Sequence, residues 1–512
     1  MQTTFLLLIC GALIGYNVGY SEKGTAVQIV HLENHSISVD SKILHQILGN
    51  EHIKDRNVMI FSIAGPYRKG KSFFLNFPLK YLYAKYVKHD ISDWLGEDDI
   101  DGNELHGFKW RGGQMPQTTG IWMWSEIFTH DFDGGDRVAI ILLDTQGIFD
   151  HDSSTMDCTK TFAISTLLSS VQCYNVMQNI QENNLQDLDY FTAYGRLANE
   201  QTNESPFQKL LFLVRDWPYS DEMDYGYAPK YVQRILASND KQSPAMHELR
   251  DRIKLSFEKV EAFLMPYPGT AVAEGRNTNG DLRQIDSKFI QSVKEIVPSI
   301  FAPENLVVKR INGQKIRASD LIAYLEEYTK IFNGNTLPEP RTALWATAET
   351  TLLILHRDCL NIYMEMMQEV MASRHFDYEI TALEEQHEIA RKESLSQFQK
   401  KPKLHFPDLV SSYKNQLEMH IAMKYKFFLE LNANRKADRL RIEEEQRKSE
   451  ELRQYILDAT HKEGWADIKN IAVTGFYGMC IYVGWNFVYV PYGLIICAFL
   501  GVSASIFGHL WG

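Results

Sequence analysis

The sequence predicts an α/β domain with a mostly parallel sheet, followed by a small helical bundle and a C-terminal hairpin of two apolar helices. Three observations predict it. Short apolar runs at Val58–Ala64, Val138–Leu143 and Leu210–Val214 each end in polar or glycine residues, as buried parallel strands do. From about Ala343 the pattern changes, and Leu344, Thr351, Leu352, Leu355, Leu360 and Tyr363 fall mostly at helical spacing. From Asn470 to Gly512 there is no Lys, Arg, Asp or Glu.

The elements follow in chain order. Residues 1–23 read as an apolar extension: Phe5–Ile14 is apolar, and Asn17-Val18-Gly19 offers a small residue where a signal peptidase could cut. No basic segment precedes it, so a signal and a short hydrophobic extension or second membrane contact both stay open. Residues 24–332 alternate strands and helices. Residues 333–341 read as a linker, because Asn333–Pro340 carries Gly334, Pro338 and Pro340, which interrupt a helix. Residues 342–440 read as a helical middle domain, broken near Lys401–Pro407, and 441–469 as a charged, solvated stalk. In 470–512, Ile471–Val490 and Tyr492–Trp511 each match the roughly 20 residues that cross a bilayer, with Pro491 and Gly493 at the turn.

Composition narrows the function. A chain of 512 residues implies two or three domains. A net charge of -12 argues against nucleic acid as a partner. It also leaves inserted apolar sequence, rather than basic attraction, to hold a lipid bilayer. The six cysteines show no CxxC or zinc spacing, which fits a reducing compartment.

The chemistry sits in two motifs. Gly65-Pro66-Tyr67-Arg68-Lys69-Gly70-Lys71-Ser72 matches G-x-x-x-x-G-K-[ST], with an apolar strand before it and a helical stretch, Phe73–Lys85, after it. Pro78 within that stretch predicts a short or kinked helix. Backbone amides of such a loop close around phosphate oxygens, Lys71 reaches the β- and γ-phosphates, and Ser72 ligates Mg²⁺. Asp144-Thr145-Gln146-Gly147 gives D-x-x-G at the end of the next strong strand; Asp144 can hold the hydrated Mg²⁺ and the Gly147 N–H can sense a γ-phosphate. Between them, in the glycine- and threonine-rich stretch Arg111–Gly120, Thr118 is favoured over Thr119 as the threonine that completes the Mg²⁺ shell. No N-K-x-D element follows a strand. Arg215-Asp216 instead follows Leu210–Val214, and an aspartate can accept two hydrogen bonds from the guanine N1–H and N2–H₂ edge. On spacing alone that aspartate could equally be one half of a surface ion pair.

Taken together, GPYRKGKSFFLNF, FKWRGG…TTGIWMWSEIF, LLDTQGIFD, FLVRDW and PYPG resemble the atlastins, dynamin-superfamily GTPases that fuse endoplasmic reticulum membranes. GIWMW is also similar to the guanylate-binding proteins, which share the G domain but have a longer helical region and no transmembrane hairpin. The resemblance implies a P-loop GTPase that hydrolyses GTP with Mg²⁺ and forms a GTP-dependent homodimer in trans. It would be a multi-pass protein of the endoplasmic reticulum membrane with its G domain in the cytosol. Arg68 matches the family's arginine finger, Arg215 and Asp216 its guanine-reading pair, and Pro266–Val272 the loop over the base. The implied nucleotide set is Arg68, Lys69, Gly70, Lys71, Ser72, Phe73, Gln146, Gly147, Arg215, Asp216 and Val272. The catalytic set is Arg68, Lys71 and Thr118, and the metal set is Ser72, Thr118 and Asp144; Gln146 is not assigned the water-positioning task. Gln114-Met115-Pro116-Gln117 departs from a stretch that is usually charged. The sequence ends at Gly512, without the family's amphipathic tail, which implies strong tethering and weak lipid mixing. The alternatives are a guanylate-binding-protein-like GTPase and a membrane-shaping hairpin scaffold with a regulatory G domain.

Overall fold

The computed structural model describes residues 24–33, 36–96, 104–110, 119–147, 155–238, 242–275, 280–334, 336–373, 377–462 and Gly475. It opens with strands β1 (Ala26–Glu33) and β2 (Ser36–Val39), helix α1 (Ser41–Leu48), strand β3 (Asn57–Ala64) and helix α2 (Lys71–Leu82). Strands β4 (Ile121–Trp124), β5 (Phe128–Asp131) and β6 (Arg137–Thr145) precede helix α3 (Thr155–Leu168) and strand β7 (Val171–Met177). Helices α4 (Glu182–Gln186) and α5 (Asp189–Thr202) lead to β8 (Phe207–Arg215), β9 (Gly226–Tyr227), α6 (Pro229–Leu236), α7 (Pro244–Ser256) and β10 (Phe257–Leu264). After α8 (Thr270–Ala273) and α9 (Ser287–Phe301) come the small strands β11 (Arg310–Ile311) and β12 (Gln314–Lys315), then α10 (Ala318–Phe332). Three long helices follow: α11 (Pro340–Ala372), α12 (Ile380–Lys400) and α13 (Pro407–Lys462).

The sheet order is β2-β1-β4-β6-β3-β7-β8-β10-β9, with β5 also on β6. Its centre, β6-β3-β7-β8-β10, is parallel, and the pairings toward both edges are antiparallel. The unbroken apolar runs have a simple cause. Val58, Ile60 and Ala64 of β3 join one hydrophobic core, and Met59, Phe61 and Ile63 join the other. Side chains alternate across a strand, so a sheet covered on both faces needs apolar residues at every position. β6 repeats the division, with Ala139, Ile141 and Leu143 opposite Val138, Ile140 and Leu142. Burying such side chains contributes about 1.5–3 kcal/mol each, the main term holding the sheet together.

Helix α2 runs through Pro78 to Leu82 rather than stopping at the proline, and continues as a π-helical turn, Tyr83–Lys88. Phe73, Phe74, Leu75, Phe77 and Leu79 are all buried, and that burial outweighs the loss of one helical hydrogen bond at the proline. Helix α10 ends at Phe332 and α11 begins at Pro340, so Pro340, read in the sequence as part of the linker, starts the next helix, where its missing N–H costs nothing.

By internal contacts the chain divides into two units, residues 1–360 with 395–417, and residues 361–394 with 418–512. In the first, Thr347 of α11 receives hydrogen bonds from the hydroxyls of Tyr194 at 3.1 Å and Tyr328 at 3.0 Å. In the second, the Tyr363 hydroxyl meets His387 Nδ1 at 2.9 Å, and His387 stacks on Tyr425. Among the described residues no helix is long and apolar enough to cross a membrane. The expected hairpin, 470–512, lies outside the described residues except for Gly475, and the apolar extension 1–23 lies wholly outside them.

Candidate active site

The phosphate loop joins β3 to α2 and lies at the carboxyl ends of the parallel strands, where open α/β sheets bind ligands. Gly65 has φ +142°, and a Cβ there would come within 2.2 Å of the Asn175 carbonyl oxygen, so only glycine lets β3 leave the sheet beside β7. Arg68 (φ 59°) and Gly70 (φ 73°) are both left-handed, which turns the backbone amides between them toward one concave side. No acidic side chain occupies the first turn of α2, so the helix N-terminus keeps its partial positive charge for an anion. The buried Lys71 places its Nζ 3.2 Å from the carbonyl oxygens of Gly65 and Pro66, spanning the loop.

Ser72 Oγ donates to Asp144 Oδ2 at 2.5 Å. A hydroxyl and a carboxylate converging from α2 and β6 are hard oxygen donors, and one carboxylate beside a phosphate site suits Mg²⁺. Thr118, the third expected ligand, lies outside the described residues. Its neighbour Thr119 is held through its carbonyl, which accepts from Gln28 Nε2 and Trp122 Nε1, each at 2.9 Å.

Gln146 and Gly120 bond reciprocally, Gln146 N to the Gly120 carbonyl at 2.9 Å and Gly120 N to Gln146 Oε1 at 2.9 Å. That contact ties the D-x-x-G segment to the strand entering β4. Gly147 lies against the phosphate loop: a Cβ on it would come 2.4 Å from Tyr67 Cα.

Arg215, the last residue of β8, is 3% exposed, and its Nη1 donates to the Gly70 carbonyl at 3.3 Å. Its guanidinium also lies 5.3 Å from the centre of the Phe289 ring. Arg215 therefore sits beneath the phosphate loop. Asp216 turns away on a left-handed backbone (φ 54°) and is half-buried; burial pushes its carboxyl pKa up, while Arg215 and Lys69 pull it back down. Lys69 and Arg68 are exposed on the loop, the Arg68 guanidinium over the Tyr67 ring. Phe73 points inward against Trp110, Phe77 and Phe289, so only its backbone could face a phosphate. Val272, on the short α8 that begins after Gly269 (φ +104°), packs against the same core.

One residue was not singled out in the sequence. Asn175 of β7 is fully buried and donates from Nδ2 to the Lys69 carbonyl at 3.1 Å. The signal available was a polar residue inside the otherwise largely apolar run Val171–Met177.

A family model described as the guanylate-binding protein N-terminal domain matches residues 34–310. Atlastin from Drosophila melanogaster is 45% identical over 398 residues, covering 77% of this chain and 73% of that protein. Atlastin-2 from Homo sapiens is 40% identical over 415 residues, covering 80% of this chain and 70% of that protein. Atlastin-3 from Mus musculus is 39% identical over 411 residues, with 80% and 75% covered.

Proposed function

The chain belongs to the atlastin family of GTPases, and from that premise we propose that it couples GTP hydrolysis to G-domain dimerisation, bringing endoplasmic reticulum membranes together for fusion. The observation that carries this reading is the position of Arg68. Its guanidinium lies exposed over Tyr67, on a strained left-handed residue at the rim of the phosphate loop. A cation held there faces outward, toward a second G domain docked across the nucleotide.

The residues divide the work. Loop amides and the α2 N-terminus bind phosphate oxygens, and Lys71 leaves its two carbonyl partners for the β- and γ-phosphates. Ser72, Asp144 and Thr118 would hold Mg²⁺, which supplies charge neutralisation between the β- and γ-phosphates. Asp216 accepts from the guanine edge, with Val272 in the segment that covers the base. Gly147 brings its N–H to the γ-phosphate side, and Arg68 meets the charge that develops there when two G domains engage. The uncharged segment 470–512 would anchor the chain as a hairpin, with both ends on the cytosolic face.

The test is lipid mixing between vesicles carrying the full chain. Mixing is expected with GTP and not with GDP. Arg68→Gln should bind GTP within a few-fold of wild type yet hydrolyse it about 10³-fold more slowly. Mixing that is independent of GTP, or unchanged turnover in Arg68→Gln, would overturn the reading.

A further inference from the structure

Two carbonyls of the phosphate loop are held from below by buried side chains of adjacent strands. Asn175 Nδ2 of β7 reaches the Lys69 carbonyl at 3.1 Å, and Arg215 Nη1 of β8 reaches the Gly70 carbonyl at 3.3 Å. The strands are neighbours in parallel register, Asn175 pairing Leu213 and Met177 pairing Arg215. A trans peptide is planar, with its C=O and N–H pointing in opposite directions. Drawing the Lys69 carbonyl down toward β7 therefore turns the Gly70 N–H up into the loop. The Gly70 carbonyl, at the N-cap of α2, also accepts from the Phe74 N–H at 3.0 Å, so the helix and Arg215 together fix the Lys71 N–H.

We propose that Asn175 is a positioning residue for nucleotide phosphate: its amide sets the orientation of the Gly70 N–H, and with Arg215 it holds two anion-facing amides in place before nucleotide arrives. Two features support this role over simple packing. Asn175 is fully buried, and its Oδ1 has no hydrogen-bond partner among the described residues. Burying an unpartnered amide oxygen destabilises a fold, so its retention points to the donor on the other side of the amide. The backbone agrees, because the Asn175 carbonyl is also the atom that requires Gly65 to be glycine. Arg215 adjoins Asp216 in the chain, so the strand end that carries the base-reading carboxylate also braces the phosphate loop.

The inference rests on the P-loop reading above, and its test separates the two. In the full chain in detergent, dissociation constants for GTP and GMP are measured for wild type, Asn175→Ala, Asn175→Leu and Lys71→Ala. Either Asn175 variant that folds should bind GTP about tenfold more weakly, because a preoriented donor to a β-phosphate oxygen is lost. GMP, which lacks the β-phosphate, should change by less than about threefold. The GTP-to-GMP affinity ratio then contracts, whereas general loosening of the fold would weaken both nucleotides alike. Lys71→Ala that retains wild-type GTP affinity would remove the P-loop reading itself. Lys71→Ala that loses GTP binding, while a folded Asn175 variant keeps the wild-type ratio, would overturn this inference alone. If neither Asn175 variant folds, the residue is structural and the inference fails.

Discussion

At the scale of single residues, buried polar groups carry the specific predictions. In the proposed reading Asp216 accepts two hydrogen bonds from the guanine edge, and an asparagine amide would offer a donor in place of one acceptor. Asp216→Asn should weaken GTP by at least about tenfold and favour the xanthine analogue, whose 2-oxo group accepts the new donor. Calorimetric titration with both nucleotides checks this, and unchanged GTP affinity would place base reading elsewhere. Lys309 has no part in this chemistry yet is 1% exposed, with Nζ 3.0 Å from the Ser169 carbonyl. Burial pushes its pKa from 10.5 down to about 7. Between those values the unfolded chain holds a proton that the folded chain does not, so this group makes stability rise with pH from about 7 to about 10.5. Lys309→Met should flatten that rise in denaturant midpoints measured across the window; an identical slope in both proteins would refute the assignment.

At the scale of elements, packing depends on hydroxyls as much as on apolar faces. Thr347 of α11 donates to the Ala343 carbonyl at 2.8 Å and accepts from Tyr194 of α5 and Tyr328 of α10. Thr347→Val keeps the shape and strands two buried tyrosine hydroxyls, an expected loss of about 2–4 kcal/mol in chemical unfolding. Thr347→Ser keeps the hydroxyl and should cost much less; equal losses would mean that the methyl, not the hydroxyl, matters. The exit of β6 gives a second case. Gly147 passes so close to Tyr67 that an alanine Cβ must displace the phosphate loop. Gly147→Ala should lower GTP turnover about 10²-fold, the scale of a 1 Å misplacement, with thermal stability little changed.

At the scale of the whole molecule, the prediction concerns topology. If 470–512 forms the proposed hairpin, both its ends and the G domain share the cytosolic side, where GTP is supplied. In intact microsomes the G domain should be digested by added protease. Asn34 and Asn203 lie in N-x-S sequons, and Asn203 is exposed at the C-terminus of α5. Protection of the G domain, or glycans at either asparagine, would place it in the lumen and make 1–23 a working signal.

Much of this architecture is legible in the chain because its causes are local. The apolar cores of β3, β6 and β8, the glycines of the phosphate loop and the stop between Phe332 and Pro340 follow from neighbours within a few residues. At Pro78 a local tendency to break the helix meets tertiary burial around α2, and the helix runs on to Leu82 before a π-helical turn. Which segments could bind phosphate and which could be strands is therefore readable from local sequence. What lies beneath the loop is not, because it depends on how distant strands dock. Asn175 and Lys69 are 106 residues apart, and Arg215 and Gly70 are 145 apart. Contacts at such separations form when parallel strands dock across a crossover, and no periodicity within a single segment records them.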